Sequence, residues 1–563
     1  MNPFATNNGA SGQNPTLPTV ETFAREINSI IKARDADKLS SYLLLNPGTM
    51  PDSYLQMRQE LQQVYGNKSL NIGAKVLESK IQKLLPATEE STEHAAYKQF
   101  TRFLLQYFEY LKDVSLDESK YVAAYELVTQ MQQKANTALV HATLGHLLLP
   151  TTIACAQLLA YLAITLDKRP DLTRHLNISN SGGEDSTERI SLAEQCVNNI
   201  RTALTTCCQD RLGGLDNNGV PTGKKAGIYK LANVMFKILL QCQNLLSAAF
   251  FLENIYQQSP PLSAYSKRDR VTYLYNLGRF HFHYGHFWRG HIALQAAYDE
   301  CPTDEQTFKQ RRLILIFLIA SNICVGRFPA KTLFERSEAA DLAERFLPLT
   351  NAIRKGDVAA FRAVLADDSP NYPFYAHYRI RLQLANIGEL LLRRTLVRNI
   401  FKLHGVLPKP DAPANAAPTL TFTRLIPAIG PNSALVLSDP TNTLPLAPEY
   451  AGLSPAELQR YCRNPISDNA RVISELIALV GQNLIHGYVS EKYGKLAIRG
   501  VSKGLPQGVT PAHVGFPAPY SVARATQKEG GDLVPGWKLE GAGAGAGMAG
   551  KVISLSGAGA VGA

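Results

Sequence analysis

Tryptophan is nearly missing from this chain, with 2 residues among 563. No two cysteines form a C-x-x-C pair. The 8 cysteines, Cys155, Cys196, Cys207, Cys208, Cys242, Cys301, Cys324 and Cys462, sit mostly within apolar helical pattern, as small hydrophobes do. That usage reads as reduced thiols and argues against a zinc ribbon, a redox pair or a disulfide framework. There is no G-x-S-x-G, no H-E-x-x-H and no paired-acid motif in a strand–loop setting. Cys207-Cys208 has no evident histidine to activate a thiolate. The chain therefore reads as non-enzymatic, with no cofactor expected. Residues 1–18 are polar and rich in Pro, Gly and Asn, so they do not read as a secretory leader.

One stretch lacks charge. Residues 136–166 carry no Asp, Glu, Lys or Arg, and 147–166 are mostly apolar. A spanning helix needs about 20 apolar residues. This stretch contains His141, His146, Pro150, Thr151, Thr152 and Gln157, and no basic cluster marks one side. The expectation is two buried helices broken at Pro150, with no membrane insertion.

What is present is enough to fold. Hydrophobic residues make up 45% and charged residues 19%, within the range of globular domains. The length exceeds a single core and suggests three or four units at about 150 residues each. The net charge of +11 is modest over 563 residues, so only its clustering carries information.

From Val20 onward the apolar spacing is helical almost throughout. Residues 95–114 place Phe100, Phe103, Leu104, Tyr107, Leu111 and Val114 on one stripe, which must meet another helix. Two polar interruptions, 177–188 and 213–227, read as loops. Residues 274–302 (LYNLGRFHFHYGHFWRGHIALQAAYDECP) follow a degenerate tetratricopeptide pattern. Leu274 stands in for the Trp, Leu277-Gly278 supply the L-G pair, and Gly285 falls at the turn. Gly290 and Leu294 have the A-x3-F spacing, and Pro302 closes the unit. Residues 312–325 are apolar all round and read as a fully buried helix. Residues 352–365 give a second helical hairpin turning at Gly356. Such units bury their faces by stacking, as a solenoid.

Beyond residue 400 the periodicity changes. Residues 390–403 form a basic amphipathic helix, 409–418 a Pro/Ala-rich loop, 421–429 a short helix and 431–453 a Pro-rich insertion. Residues 471–484 are helical. Residues 488–490 and 495–498 pair as strands around a turn near Gly494. Helices followed by a hairpin is the order of a winged helix. The expected fold is all-α, a TPR-like helical-repeat solenoid running into a C-terminal winged helix, with disordered termini. The expected divisions are a disordered 1–18, N-terminal helical repeats at 19–225, a further helical-repeat part at 226–389, the winged helix at 390–502 and a flexible tail at 503–563.

Four stretches carry a family resemblance: LANVMFKILLQCQNL (231–245), residues 273–301, QRRLILIFLIASNICVGRFP (310–329) and ELIALVGQNLIHGYVSEKYGKLAIR (475–499). Across roughly 225–505 they resemble PCI-domain proteins. LAITLDKRPDL (162–172) is similar to the fungal members. Together they point to the PCI subunits of TREX-2 mRNA-export complexes and the signalosome-subunit-twelve-like proteins. The resemblance implies a non-catalytic scaffold subunit in the nucleus, at the nuclear pore. It implies a large helical export scaffold as partner, and a small acidic disordered subunit shared with the proteasome lid. It also implies a joint surface for RNA, with DNA as the alternative. The rival reading is a PCI subunit of a signalosome- or proteasome-lid-like assembly acting only by protein–protein interaction.

The candidate nucleic-acid-binding residues are cationic. Arg393, Arg394, Arg398, Lys402 and Lys409 follow one another with no Asp or Glu between them. Arg394, Arg398 and Lys402 recur every four residues and share one helical face. Lys492, Lys495, Arg499 and Lys503 surround the hairpin, against Glu491. Lys and Arg on such a module supply salt-sensitive, sequence-independent affinity for phosphates. A solvated face, or a docking surface for an acidic partner, explains the same pattern. His486 and Tyr488 would add a stacking edge, or Tyr488 would be hairpin core.

Three other features read as structural. The loop at 213–227 holds Gly223-Lys224, but Asn218 occupies the Walker glycine position and Lys225 the Ser/Thr position. His281 and His283 point to opposite sides of one helix, and Gly285 separates them from His286 and His291, so no four-ligand metal set forms. Lys267, Arg268 and Arg270 read as a solvated helix start.

Overall fold

The computed structural model describes residues 17–66, 74–86, 97–115, 117–169, 171–172, 192–242, 248–408, 416–429, 468–498 and 514–530. Most of the N-terminal segment, the loop at 177–188, the insertion at 431–453 and the Gly/Ala-rich end lie outside the described residues. So do Lys409, Arg499 and Lys503. The chain divides into two compact units, with the change at Arg270/Val271. Among the described residues it is all-α apart from one small sheet.

The first unit is built of helices whose apolar stripes face inward. Pro18–Ala33 buries Val20, Phe23, Ala24, Ile27, Ile30 and Ile31, the spacing of one helix face. Lys98–Asp113 buries Phe100, Phe103, Leu104, Tyr107 and Leu111 as the periodicity requires. Phe23 stacks between Tyr42 and Tyr107, with ring centroids 4.8 and 6.1 Å away. The Tyr107 hydroxyl donates to the Leu44 carbonyl at 2.9 Å, which satisfies the one polar atom of a buried ring.

The uncharged stretch breaks into two largely buried helices between Leu139 and Leu149, just ahead of Pro150 rather than at it. Tyr121–Leu139 ends before Pro150, which sits in the first turn of Leu149–Asp167, where its missing N–H costs no hydrogen bond. Gly145–Asp167 is long and apolar enough to cross a membrane, but 67% of its apolar 18-residue window is buried inside the protein. It packs against Tyr121–Leu139, Leu192–Cys208 and Ile228–Cys242. Ile228–Cys242 falls in the first compact unit. Its apolar surface reaches round the helix and binds it to neighbours on the N-terminal side.

The second unit contains the repeat-like hairpin. Lys267–His283 turns at Gly285, with φ +80°, into Phe287–Glu300. Gly278 faces Leu294 in the interior, and Gly290 lies against the Gly278 carbonyl. Phe308–Cys324 follows, with buried residues on every side. Leu342–Lys355 and Val358–Leu365 form the second hairpin, turning at Gly356 with φ +79°. The Asp357 carboxylate caps the second of these by accepting from the Ala360 amide at 3.0 Å.

Arg381–His404 is one continuous helix, so the division expected at 390 falls inside it. It leads to β1 (Thr419–Thr421), the helix Phe422–Ile429, the helix Asp468–Gly481, β2 (Gly487–Ser490) and β3 (Lys495–Ile498). The strands pair antiparallel in the order β1-β3-β2. Leu420 lies opposite Leu496, and Leu496 opposite Val489. This is a winged-helix arrangement with a third strand that three residues of Thr and Leu did not announce.

Candidate interaction surface

The basic helix face is graded along its length. Arg393, near the middle of Arg381–His404, donates to Glu389 at 2.7 Å and to Glu475 on the helix Asp468–Gly481. Burial pushes the Glu389 carboxyl up. The hydrogen bond from Arg393, with the charges of Arg393 and Arg362, outweighs this and holds it below the usual range. Arg393 therefore joins two helices of the module. Arg394 donates from Nη2 to the carbonyls of Phe516 and Pro517, at 2.8 and 2.6 Å. Burial, with Arg398 beside it, pushes its guanidinium down to about 10. Arg398 is half-buried and Lys402 is exposed. Only the far end of the stripe meets solvent fully.

The hairpin cations are open. Lys492 and Lys495 are exposed. The Lys492 ammonium lies 5.7 Å from the centre of the Tyr493 ring. Tyr488 and Tyr493 are 60% and 70% exposed, so Tyr488 is not hairpin core. The structure thus brings Lys492 and Lys495 together at the turn of the wing. It keeps Arg393 and Arg394 for contacts inside the protein.

Residues 514–530 fall in the part of the chain read as tail, yet they are ordered against the module. The Gly515 carbonyl accepts from the His486 amide at 2.8 Å. Phe516 is buried against Phe401. The helix Pro519–Gly530 then packs on the repeat hairpin. The Tyr520 ring lies 5.1 Å from Trp288 and 6.0 Å from His291, with Arg327 over its face. A Cβ on Gly326 would lie 2.5 Å from Pro519 Cβ, so only glycine admits this strap, residues 514–530, there. The signal in the sequence was sparse: Phe516, Pro519 and Tyr520 among small residues and prolines with no helical periodicity.

The remaining candidates are structural. His281 and His291 are buried, and burial pushes His281 down to about 3 and both His283 and His291 down to about 4. Among the described residues no group of His, Cys, Asp and Glu is placed to hold a metal ion. Lys224 is buried with its ammonium toward the Val140 carbonyl at 3.3 Å, and its amide donates to Asp210 at 2.9 Å. The Gly223-Lys224 pair thus faces the interior of its own unit. Arg270 donates to the Ser263 carbonyl at 2.8 Å, while Lys267 and Arg268 are exposed.

Comparison with known proteins adds the decisive observation. No family model matches. A PCI domain-containing protein of Schizosaccharomyces pombe is 23% identical over 386 residues, 68% of this chain and 78% of that protein. A protein named CSN12 homolog from Neurospora crassa is 26% identical over 250 residues, 43% of this chain and 51% of the relative. A PCI domain-containing protein 2 homolog from Dictyostelium discoideum is 25% identical over 228 residues, 40% and 49% of the two chains. The relatives support a PCI-domain family. The chain spans about half the length of the last two. An all-α helical-repeat fold of PCI type agrees with these relatives, and none of the three names indicates an enzyme.

Proposed function

We propose that this chain is a non-catalytic PCI scaffold subunit of a multi-protein assembly of signalosome or proteasome-lid kind, acting through protein–protein contacts. The recurrence of CSN12 homologs among the relatives carries this reading. The module supports it physically. Its helices are tied by Arg393 to Glu389 and Glu475, and the strap fastens it to the repeat hairpin. Such cross-linking suits a rigid docking platform. The test is to compare two variants in co-purification from the native cell. Replacing Lys402, Lys492 and Lys495 together by Ala leaves the partner proteins bound, and Leu476→Asp releases them. Loss of partners with the lysine variant would defeat the reading.

A second reading has its own observation. Lys402, Lys492 and Lys495 are exposed, and none forms an ion pair within the described residues. Cations left free on a winged helix favour nucleic acid. On this reading the chain works in the nucleus, at the pore, in an mRNA-export complex of TREX-2 type. It would bind RNA or DNA with a large helical scaffold and a small acidic disordered subunit. Weak, salt-sensitive RNA binding that the triple lysine variant abolishes tests it.

A further inference from the structure

We propose that the outer face of the three-stranded sheet is a stacking platform for single-stranded nucleic acid, centred on Tyr488 and Lys495; the proposal rests on the second reading above and names its ligand class. Successive side chains of a strand alternate between faces. Leu420 and Leu496, paired across β1 and β3, are fully buried and mark the inner face. The residues one step away therefore share the outer face. They fall into two rows across the sheet: Thr419, Ala497 and Tyr488, then Thr421, Lys495 and Ser490; of the six, Tyr488 and Lys495 are exposed, and Ala497, between its neighbours, is buried.

Four of these six side chains are short, so the floor is low. Tyr488 and Lys495 alone rise from it. No carboxylate is among the six. Tyr488 is opposite Ala497, so Lys495 is its diagonal neighbour, about 7–8 Å away across the pair. A base laid on the Tyr488 ring would put a neighbouring phosphate within reach of the flexible Lys495 ammonium. Tyr493, 70% exposed beside Lys492, extends the same chemistry round the turn. Aromatic rings with interleaved cations are the elements of sequence-tolerant single-strand binding. A duplex has its bases stacked internally and offers nothing to the tyrosine. Groove reading would also need cations on the helix face, where Arg393 and Arg394 are already held by Glu389, Glu475 and the strap carbonyls.

The test uses the full chain and a labelled oligouridine strand, with a blunt RNA duplex beside it, titrated by anisotropy at two salt concentrations. Tyr488→Ala is expected to weaken single-strand binding about tenfold, with an unchanged salt slope and no effect on the duplex. Tyr488→Trp is expected to retain it. Lys495→Ala is expected to lower affinity and to reduce the salt slope by about 0.7. Tyr488 is largely exposed, so folding is not at issue, and the far-ultraviolet circular dichroism of each variant checks it. Unchanged single-strand affinity in Tyr488→Ala, with loss in the lysine variants, overturns the platform and spares the nucleic-acid reading. No binding of either oligonucleotide by the wild-type chain overturns both. Loss of a protein partner by Tyr488→Ala, without any oligonucleotide binding, assigns the face to protein docking and overturns the proposal.

Discussion

Gly278 and Leu294 meet inside the repeat hairpin so closely that a Cβ on Gly278 would lie 2.4 Å from Leu294 Cγ. Alanine at 278 gains about 1 kcal/mol in helix propensity. Overpacking a buried contact costs about 1–3 kcal/mol. Leu294 is fully buried. Gly278→Ala is therefore expected to be net destabilising by about 1 kcal/mol, and Gly278→Val by more. The contact is tested by a double-mutant cycle in urea. Gly278→Ala should cost less in a Leu294→Ala background, with a coupling above about 0.5 kcal/mol. Strict additivity would remove the contact as the cause.

The buried histidines set a pH window. Burial is the main reason that His281 is pushed down to about 3 and His283 to about 4, with Arg289 and His286 adding at the first and Arg279 and Arg379 at the second. Both are below the unfolded value of about 6.5. The unfolded chain thus binds more protons between these values, and stability is full above about pH 6.5 and falls as pH drops toward 4. Glu338 acts in a lower window. Burial pushes its carboxyl up, but hydrogen bonds from Tyr298 and Arg311 outweigh that and hold it at about 2. Its contribution is lost only as pH falls below the ordinary carboxyl range. Urea midpoints from pH 7.5 to 5 should therefore decline in the wild type and decline less in His281→Phe. Parallel slopes would contradict the assignment.

Neighbouring residues of the helix Asp468–Gly481 separate folding from assembly. Leu476 is fully buried, while Ile477 is 55% exposed. Leu476→Ala is expected to cost about 2–5 kcal/mol. Ile477→Asp is expected to change stability by less than about 0.5 kcal/mol. Thermal melts check both. If Ile477→Asp keeps its melting temperature and loses partners, the exposed helix face is a docking surface.

Arg394 holds the strap rather than a phosphate. Removing it leaves the carbonyls of Phe516 and Pro517 without their donor. Arg394→Ala should accelerate proteolytic cleavage within 514–530 several-fold, and Phe516→Ala should do the same by removing the contact with Phe401. Arg398→Ala should not. Equal cleavage rates in all three would mean that the strap is held elsewhere.

Helices and hairpin turns were legible because their causes are local. Stripes such as Phe100, Phe103, Tyr107 and Leu111 prescribe a buried face, and Gly285, Gly356 and Gly494 supply the positive φ that tight turns need. β1 escaped notice because it is three residues long and exists only through its pairing with β3. The strap escaped for the same reason, since Phe516 and Tyr520 are anchored by residues distant in sequence. The cationic cluster was legible as a run. Spacing alone could not show that Glu475 reaches Arg393 from another helix, or that two carbonyls take Arg394. Charge periodicity locates a face. Partners from elsewhere in the chain decide which cations stay on it.

The most direct test of the account is affinity purification of the full chain from its own cells, with and without nuclease, followed by mass spectrometry. The account predicts recovery of other scaffold subunits of one multi-protein assembly, in unchanged amounts after nuclease, because protein contacts hold the complex. A chain that comes down alone, or whose partners vanish with nuclease, would contradict a scaffold built on protein–protein contact.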